Sequence, residues 1–225
     1  MLTDEQLHAI MPGLPKAKRD VFLPFLNDAL TEFSVDRPAR LAAFLAQLAH
    51  ESGQLRFMQE LWGPTPAQLR YEPPSTLATK LGNTEVGDGK RFKGRGPIQI
   101  TGRANYRRYG DLLEVDLIAS PPTAALPDLA FRIAGLFWKK NGLNQLADEA
   151  TADAFKEITR RINGGFNGLE ERKRFYAVAR ETLGVPAAVA GRSRGRTAPS
   201  RGRVFERGAE AIRAASRRRS QVRSW

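Results

Sequence analysis

The sequence of 225 residues has no cysteine and only two histidines, His8 and His50. It can therefore form no disulfide, offers no thiol nucleophile and builds no thiolate metal site, and two imidazoles are too few for the usual zinc ligand sets. A chain without cysteine suits a reducing cytoplasm, and it also works unchanged outside the cell. Long apolar runs are missing too, none approaching the roughly 18 residues of a membrane span. The N-terminal stretch mixes Asp4, Glu5, Lys16, Lys18 and Arg19 among its apolar positions. This argues against a cleaved signal peptide.

Lysine and aspartate are absent from residues 187–225, where eleven arginines face two glutamates. That segment holds +9 of the formal net charge of +12, so residues 1–186 are close to neutral at +3. The length suits one domain with a real core, expected over 1–186, followed by a basic appendage over 187–225. In the appendage, Arg, Ser, Gly and Ala mark a linker to about 202, and a weak, impure amphipathic pattern runs from Val204 to Val222.

Helical signals dominate the rest. Thr3 with Gln6 resembles a capping box ahead of Leu7, Ile10 and Met11, and Pro12-Gly13 closes that helix. A second helix is expected through Phe22, Phe25, Leu26 and Leu30. Asp36-Arg37-Pro38 opens a third, with Leu41, Phe44, Leu45 and Leu48 at helical spacing and a stop near Ser52-Gly53. Between Leu61 and Gly96 prolines 64, 66, 73 and 74 and six glycines predict a long irregular stretch, with a short hairpin and a brief helix at Thr76–Leu81. Unstructured connections of that length inside a domain are usually functional. Helical periodicity returns at Thr101–Tyr109, Leu126–Asn141, Ala152–Ile162 and Leu169–Leu183.

Two carboxylates attract attention. Glu51 falls three residues after Leu48, at the margin of the third helix's apolar face. Burial there favours the protonated form, as an acid catalyst requires. Glu60 follows nine residues later. On one unbroken helix the pair would be rotated by about 180° and separated by about 13 Å. A break at Ser52-Gly53 lets Glu60 face Glu51 across a groove, which suits a water-holding separation of roughly 6.5 to 9.5 Å and an inverting glycosidic cleavage. The plainer alternative makes Glu51 a hydrogen-bonded helix-end carboxylate and Glu60 a solvated surface residue.

The segment Phe92-Lys93-Gly94-Arg95-Gly96-Pro97-Ile98-Gln99-Ile100-Thr101, continued by Asn105-Tyr106, resembles the glycine-rich signature of glycoside hydrolase family 19. Ala49-His50-Glu51-Ser52-Gly53 resembles that family's acid motif, and Ile158–Gly165 its Asn-Gly-Gly motif. The short spacing and the Leu61–Thr65 stretch look most like the family's phage endolysins. The resemblance implies a mainly α, two-lobed chitinase-like and lysozyme-like domain with a long irregular loop beside its cleft.

It further implies roles for individual residues. Glu51 matches the general acid and Glu60 the general base, while Thr101 occupies the place of a hydroxyl that helps hold the attacking water. Gln99, Asn105 and Asn163 match positions that hydrogen-bond the sugar chain and its acetamido group, Arg172 resembles an arginine near the acid, and Tyr106 and Arg172 are counted with the substrate-binding set. Amides and hydroxyls suit sugars by their paired donors and acceptors. Read without the family, the glycines at 94 and 96 form a tight turn and Asn163-Gly164-Gly165 a helix cap. Trp62, Tyr71 and Tyr106 serve either as sugar platforms or as packing, and His50 reads as a packed neighbour of Glu51.

The implied activity is hydrolysis of β-1,4 bonds in bacterial peptidoglycan, by a monomer that needs no cofactor. Such an enzyme would stay in the host cytoplasm until release and then act on the wall in the periplasm. A chitinase is the alternative within the class, and a non-catalytic envelope- or nucleic-acid-binding module the alternative outside it. Three readings fit the basic tail: a solubility tail, attraction to anionic outer-membrane lipid, and phosphate binding on nucleic acid, for which no sequence-reading module is present.

Overall fold

Thr3 begins the first helix as expected. Its hydroxyl accepts from the Gln6 backbone while the Gln6 side chain returns to the Thr3 N–H, and α1 (Asp4–Ile10) buries Leu7 and Ile10. This computed structural model describes residues 1–186; the expected linker and amphipathic tail over 187–225 lie outside the described residues.

Next come α2 (Lys16–Glu32) and α3 (Pro38–Ser52). Pro38 opens α3, and Gly53 closes it in the left-handed conformation at φ 59°, its N–H returning to Ala49 and His50. Nearly every residue of α3 from Leu41 onward is buried, so it is the central helix of the core. Phe44 packs edge-on against Trp138 at 5.2 Å. Truncating such a ring to alanine costs about 3–5 kcal/mol, which is why α3 is a rigid base for whatever its end presents.

The irregular stretch contains the expected helix over Thr76–Leu81 (α5). It also holds two single turns, α4 (Pro66–Leu69) and α6 (Asp88–Arg91). The expected hairpin is reduced, among the described residues, to isolated bridges joining Gln59 to Arg95 and Arg95 to Ile100. The glycines and prolines around them allow pairing at a point but no continuous ladder. Tyr71, Leu77 and Leu81 form a small apolar cluster with Trp62 against it, separate from the main core. This is the second, smaller lobe.

Thr101 lies before its helix rather than in it. Gly102 takes φ 92°, and α7 runs over Arg103–Leu113, beyond the expected end at Tyr109. A 3-10 turn (Pro121–Ala125) leads into α8 (Pro127–Lys140), followed by α9 (Leu143–Asp148), which the apolar spacing did not announce. The last two helices are α10 (Ala152–Asn163) and α11 (Leu169–Thr182). The most extensive helix pairing in the fold is between α11 and α3. It joins the segment containing Glu51 to the one containing Arg172.

Candidate active site

The left-handed cap at Gly53 is followed by two more residues at positive φ, Gln54 (62°) and Leu55 (58°). The Ser52 hydroxyl fastens this reversal, donating to the Leu48 carbonyl at 2.6 Å and accepting from the Leu55 N–H at 2.7 Å. The chain therefore leaves α3 directly after Glu51. It then pairs with the glycine-rich loop, with Gly96 N–H on the Met58 carbonyl and Glu60 N–H on the Gly94 carbonyl, both at 2.8 Å.

Glu51 is 6% exposed, and its Oε1 accepts from Arg172 Nη2 at 2.5 Å. Arg172 is wholly buried, and its Nη1 donates to Gln47 Oε1 at 2.5 Å. Gln47 Nε2 in turn donates to the Thr159 hydroxyl at 2.9 Å, and that hydroxyl donates to the Phe155 carbonyl. One buried chain of bonds thus links α3, α10 and α11 behind Glu51. Two influences act on the carboxyl: burial favours its neutral form, and the guanidinium favours its ionised form. Sequence position pointed only to the first.

Glu60 has a different setting. It is half-buried, and its carboxylate accepts from Gln68 Nε2 at 3.1 Å, from the Gly94 N–H at 3.0 Å and from the Tyr71 hydroxyl at 3.5 Å. Among the described residues no cation forms an ion pair with it. Neutral donors hold it in place while leaving it partly exposed, so it is not the fully solvated surface residue of the plainer reading. Nearby Lys93 is pushed below the usual lysine range by burial and by Arg95, with Glu60 opposing.

The glycine-rich loop brings the remaining groups together. Gly96 adopts φ 74°, and a Cβ at Gly94 would collide with Gln99 Oε1, so this residue pair approaches as closely as glycine allows. Gln99 Nε2 donates to the Gly96 carbonyl at 2.6 Å. Thr101 donates its hydroxyl to the Gln99 carbonyl at 2.9 Å, and Asn105 Nδ2 donates to the Thr101 carbonyl at 2.8 Å. Glu60, Gln99, Thr101 and Asn105 therefore belong to one connected wall.

Two expected sugar contacts need correction. Tyr106 is wholly buried, donating to the Lys93 carbonyl and accepting from Arg95, and burial pushes its phenol up. A ring with no exposed surface supports the loop from behind and cannot stack on a sugar. Arg172, equally buried, bears on Glu51 and not directly on a ligand. Asn163 ends α10, fully buried, with Gly164 as the left-handed cap. Of the other aromatics, Tyr71 is buried in the small lobe and Trp62 is half-buried beside it.

Three contributors were not singled out from the sequence. Gln47 was findable: it is a lone amide in the apolar run of α3, four residues before Glu51. Gln68 carries the capping-box spacing from Thr65, and the same side chain then reaches Glu60. Glu171, whose Oε2 lies 2.6 Å from His50 Nδ1, gives no signal of its own beyond adjacency to Arg172.

The family described as chitinase class I, glycoside hydrolase family 19, matches residues 29–153, which include Glu51, Glu60, Gln99, Thr101 and Asn105 and stop short of Asn163 and Arg172. A family 19 domain-containing protein of Haemophilus influenzae is 34% identical over 158 residues, covering 60% of this chain and 76% of that protein. An endochitinase of Arabidopsis thaliana is 39% identical over 126 residues, covering 56% of this chain but only 39% of its own length. Among solved structures, a bacterial family 19 chitinase matches at a TM-score of 0.61 and 22% identity, over 82% of this chain and 95% of that one. Chitinase C of Streptomyces griseus matches at 0.58 and 20%, over 81% and 76%. With more than half of its residues matched by the family and the same helical fold, this chain belongs to glycoside hydrolase family 19.

Proposed function

We propose that this glycoside hydrolase is an endolysin that cleaves the β-1,4 bonds of bacterial peptidoglycan with inversion, acting as a monomer. Glu51 is the general acid, Glu60 the general base, and Thr101 helps Glu60 hold the attacking water. The observation that supports the pair most is their contrast: one carboxyl buried on a guanidinium, the other half-buried among neutral donors. Inverting hydrolysis needs carboxyl groups in such unlike settings, one able to carry a proton to the leaving oxygen and one ionised beside water. In this reading the amides of Gln99 and Asn105 meet sugar hydroxyls and acetamido groups, which both donate and accept, whereas Asn163, fully buried like Tyr106, has no surface to offer a sugar.

The short spacing of the motifs and the basic segment over 187–225 favour the bacterial wall as substrate. That segment, residues 187–225, is assigned to anionic outer-membrane lipid, where clustered arginine with Phe205, Ile212 and Trp225 supplies both charge and interfacial apolar groups. Among the described residues no helix is long and apolar enough to cross a membrane. A chitinase is the second reading, favoured by the endochitinases among the relatives. Clearing of purified peptidoglycan and of colloidal chitin by the full chain decides between them. Activity on peptidoglycan supports the proposal, and activity on chitin alone replaces it with the second reading.

A further inference from the structure

His50 precedes Glu51 at the end of α3, and Glu171 precedes Arg172 in the first turn of α11. The two adjacent pairs meet, His50 on Glu171 at 2.6 Å and Glu51 on Arg172 at 2.5 Å. The imidazole also packs closely against Gly168, the residue that caps α11. A Cβ there would fall on the ring, and Gly168 itself sits at φ 68°. Only glycine satisfies both the backbone and the contact.

We propose that His50 is a positioning residue, whose Nδ1–H on Glu171 and close ring contact with Gly168 fix the first turn of α11 so that Arg172 stays on Glu51. The inference rests on Glu51 being the acid. The groups that act on the ring are Arg172, Glu51 and Glu171. Burial first, and then the Arg172 charge, hold the imidazole below its ordinary range, so it is a neutral ring at neutral pH. Against a carboxylate, which can only accept, that neutral ring presents Nδ1–H as donor. A charged ring would set a second cation beside Arg172 and compete for the same carboxylates. Neutrality therefore lets His50 tie down α11 without disturbing the charge balance at Glu51. Glu171 is held on His50.

The test compares His50→Leu, His50→Asn and Glu171→Gln in the full chain, measuring kcat, KM and the pH dependence of kcat on solubilised peptidoglycan. His50→Leu removes the donor, whereas the Asn amide offers one at a reach close to that of Nδ1. The expected result for His50→Leu is a kcat lower by roughly 10- to 100-fold with KM changed less than about twofold. The basic limb of its kcat profile should also move to higher pH, because a looser Arg172 favours ionised Glu51 less. His50→Asn should recover most of the rate and return the limb. Glu171→Gln, at a partly exposed position, should fall between.

Wild-type kcat and limb in His50→Leu would overturn the proposal, as would a folded His50→Asn that behaves like His50→Leu. If His50→Leu does not fold, Glu171→Gln decides, and an unchanged profile there overturns it. Glu51→Gln measured alongside separates the two levels. Activity retained in Glu51→Gln removes the acid assignment itself, whereas an inactive Glu51→Gln with an unaffected His50→Leu removes only the positioning role.

Discussion

Glu51 and Arg172, 121 positions apart in the chain, are joined at 2.5 Å in the buried seam between α3 and α11. The guanidinium reaches Gln47 with its other arm, so it is fixed at both ends. Breaking a buried pair by removing one partner leaves an uncompensated charge and costs about 3–5 kcal/mol. Arg172→Ala is expected to lower the denaturation midpoint sharply. Arg172→Gln, which is better able to keep a bond to Glu51, should survive with less loss. In that variant the basic limb of the rate profile should move to higher pH, since the cation favouring ionised Glu51 is gone. Thermal melting and a pH–rate profile check the two parts.

Glu60 depends on Gln68 and the Gly94 N–H for its orientation. Glu60→Gln should lose roughly 100- to 10,000-fold in rate, the usual contribution of a general base, while keeping its fold. Gln68→Ala should cost less in rate and more in stability, because the same side chain also closes the α4 capping box and holds the Leu61 carbonyl. Rates and melting curves of both variants, measured together, separate the chemical role from the supporting one.

A pH effect on stability follows from His50. Its folded-state pKa is lowered, by burial first and then by Arg172. Above the unfolded value, about 6.5, neither state binds this proton and His50 contributes no pH dependence. As the pH falls below that value the unfolded chain is protonated first, so stability drops until the folded ring also titrates. Between about pH 7 and about pH 5 the wild type should therefore lose stability more steeply than His50→Asn. Urea denaturation of both proteins across that range measures the difference in slope.

Much of this was legible in the sequence because local signals set it. The Thr3 capping box, Pro38 at the start of α3, Gly53 at its end and the helix over Thr76–Leu81 all involve residues a few positions apart. The break after Glu51 was legible for the same reason. Helix α9 was not, being a six-residue element too short to display a helical repeat. The buried chain from Glu51 through Arg172 and Gln47 to Thr159 joins residues more than a hundred positions apart, and no periodicity encodes such a meeting. Tyr106 shows the converse. Adjacent to Asn105 in sequence, it is spent on packing and on its bonds to the Lys93 carbonyl and Arg95.

The basic segment predicts a separation of two activities. Deleting 187–225 should leave hydrolysis of purified peptidoglycan within about twofold of wild type and weaken lysis of intact, outer-membrane-bearing cells, with the cell effect shrinking as salt rises. Turbidity assays on both substrates test this. Equal loss in the two assays would defeat the assignment of this segment to anionic lipid.

The most direct test of the central claim is the rate of Glu51→Gln on purified peptidoglycan beside the wild type, with circular dichroism to confirm the fold. Glutamine keeps the shape and can still accept from Arg172 but has no proton to deliver to the leaving oxygen. The expected result is a folded protein slower by roughly 100- to 10,000-fold. A folded Glu51→Gln that clears peptidoglycan at the wild-type rate would contradict it.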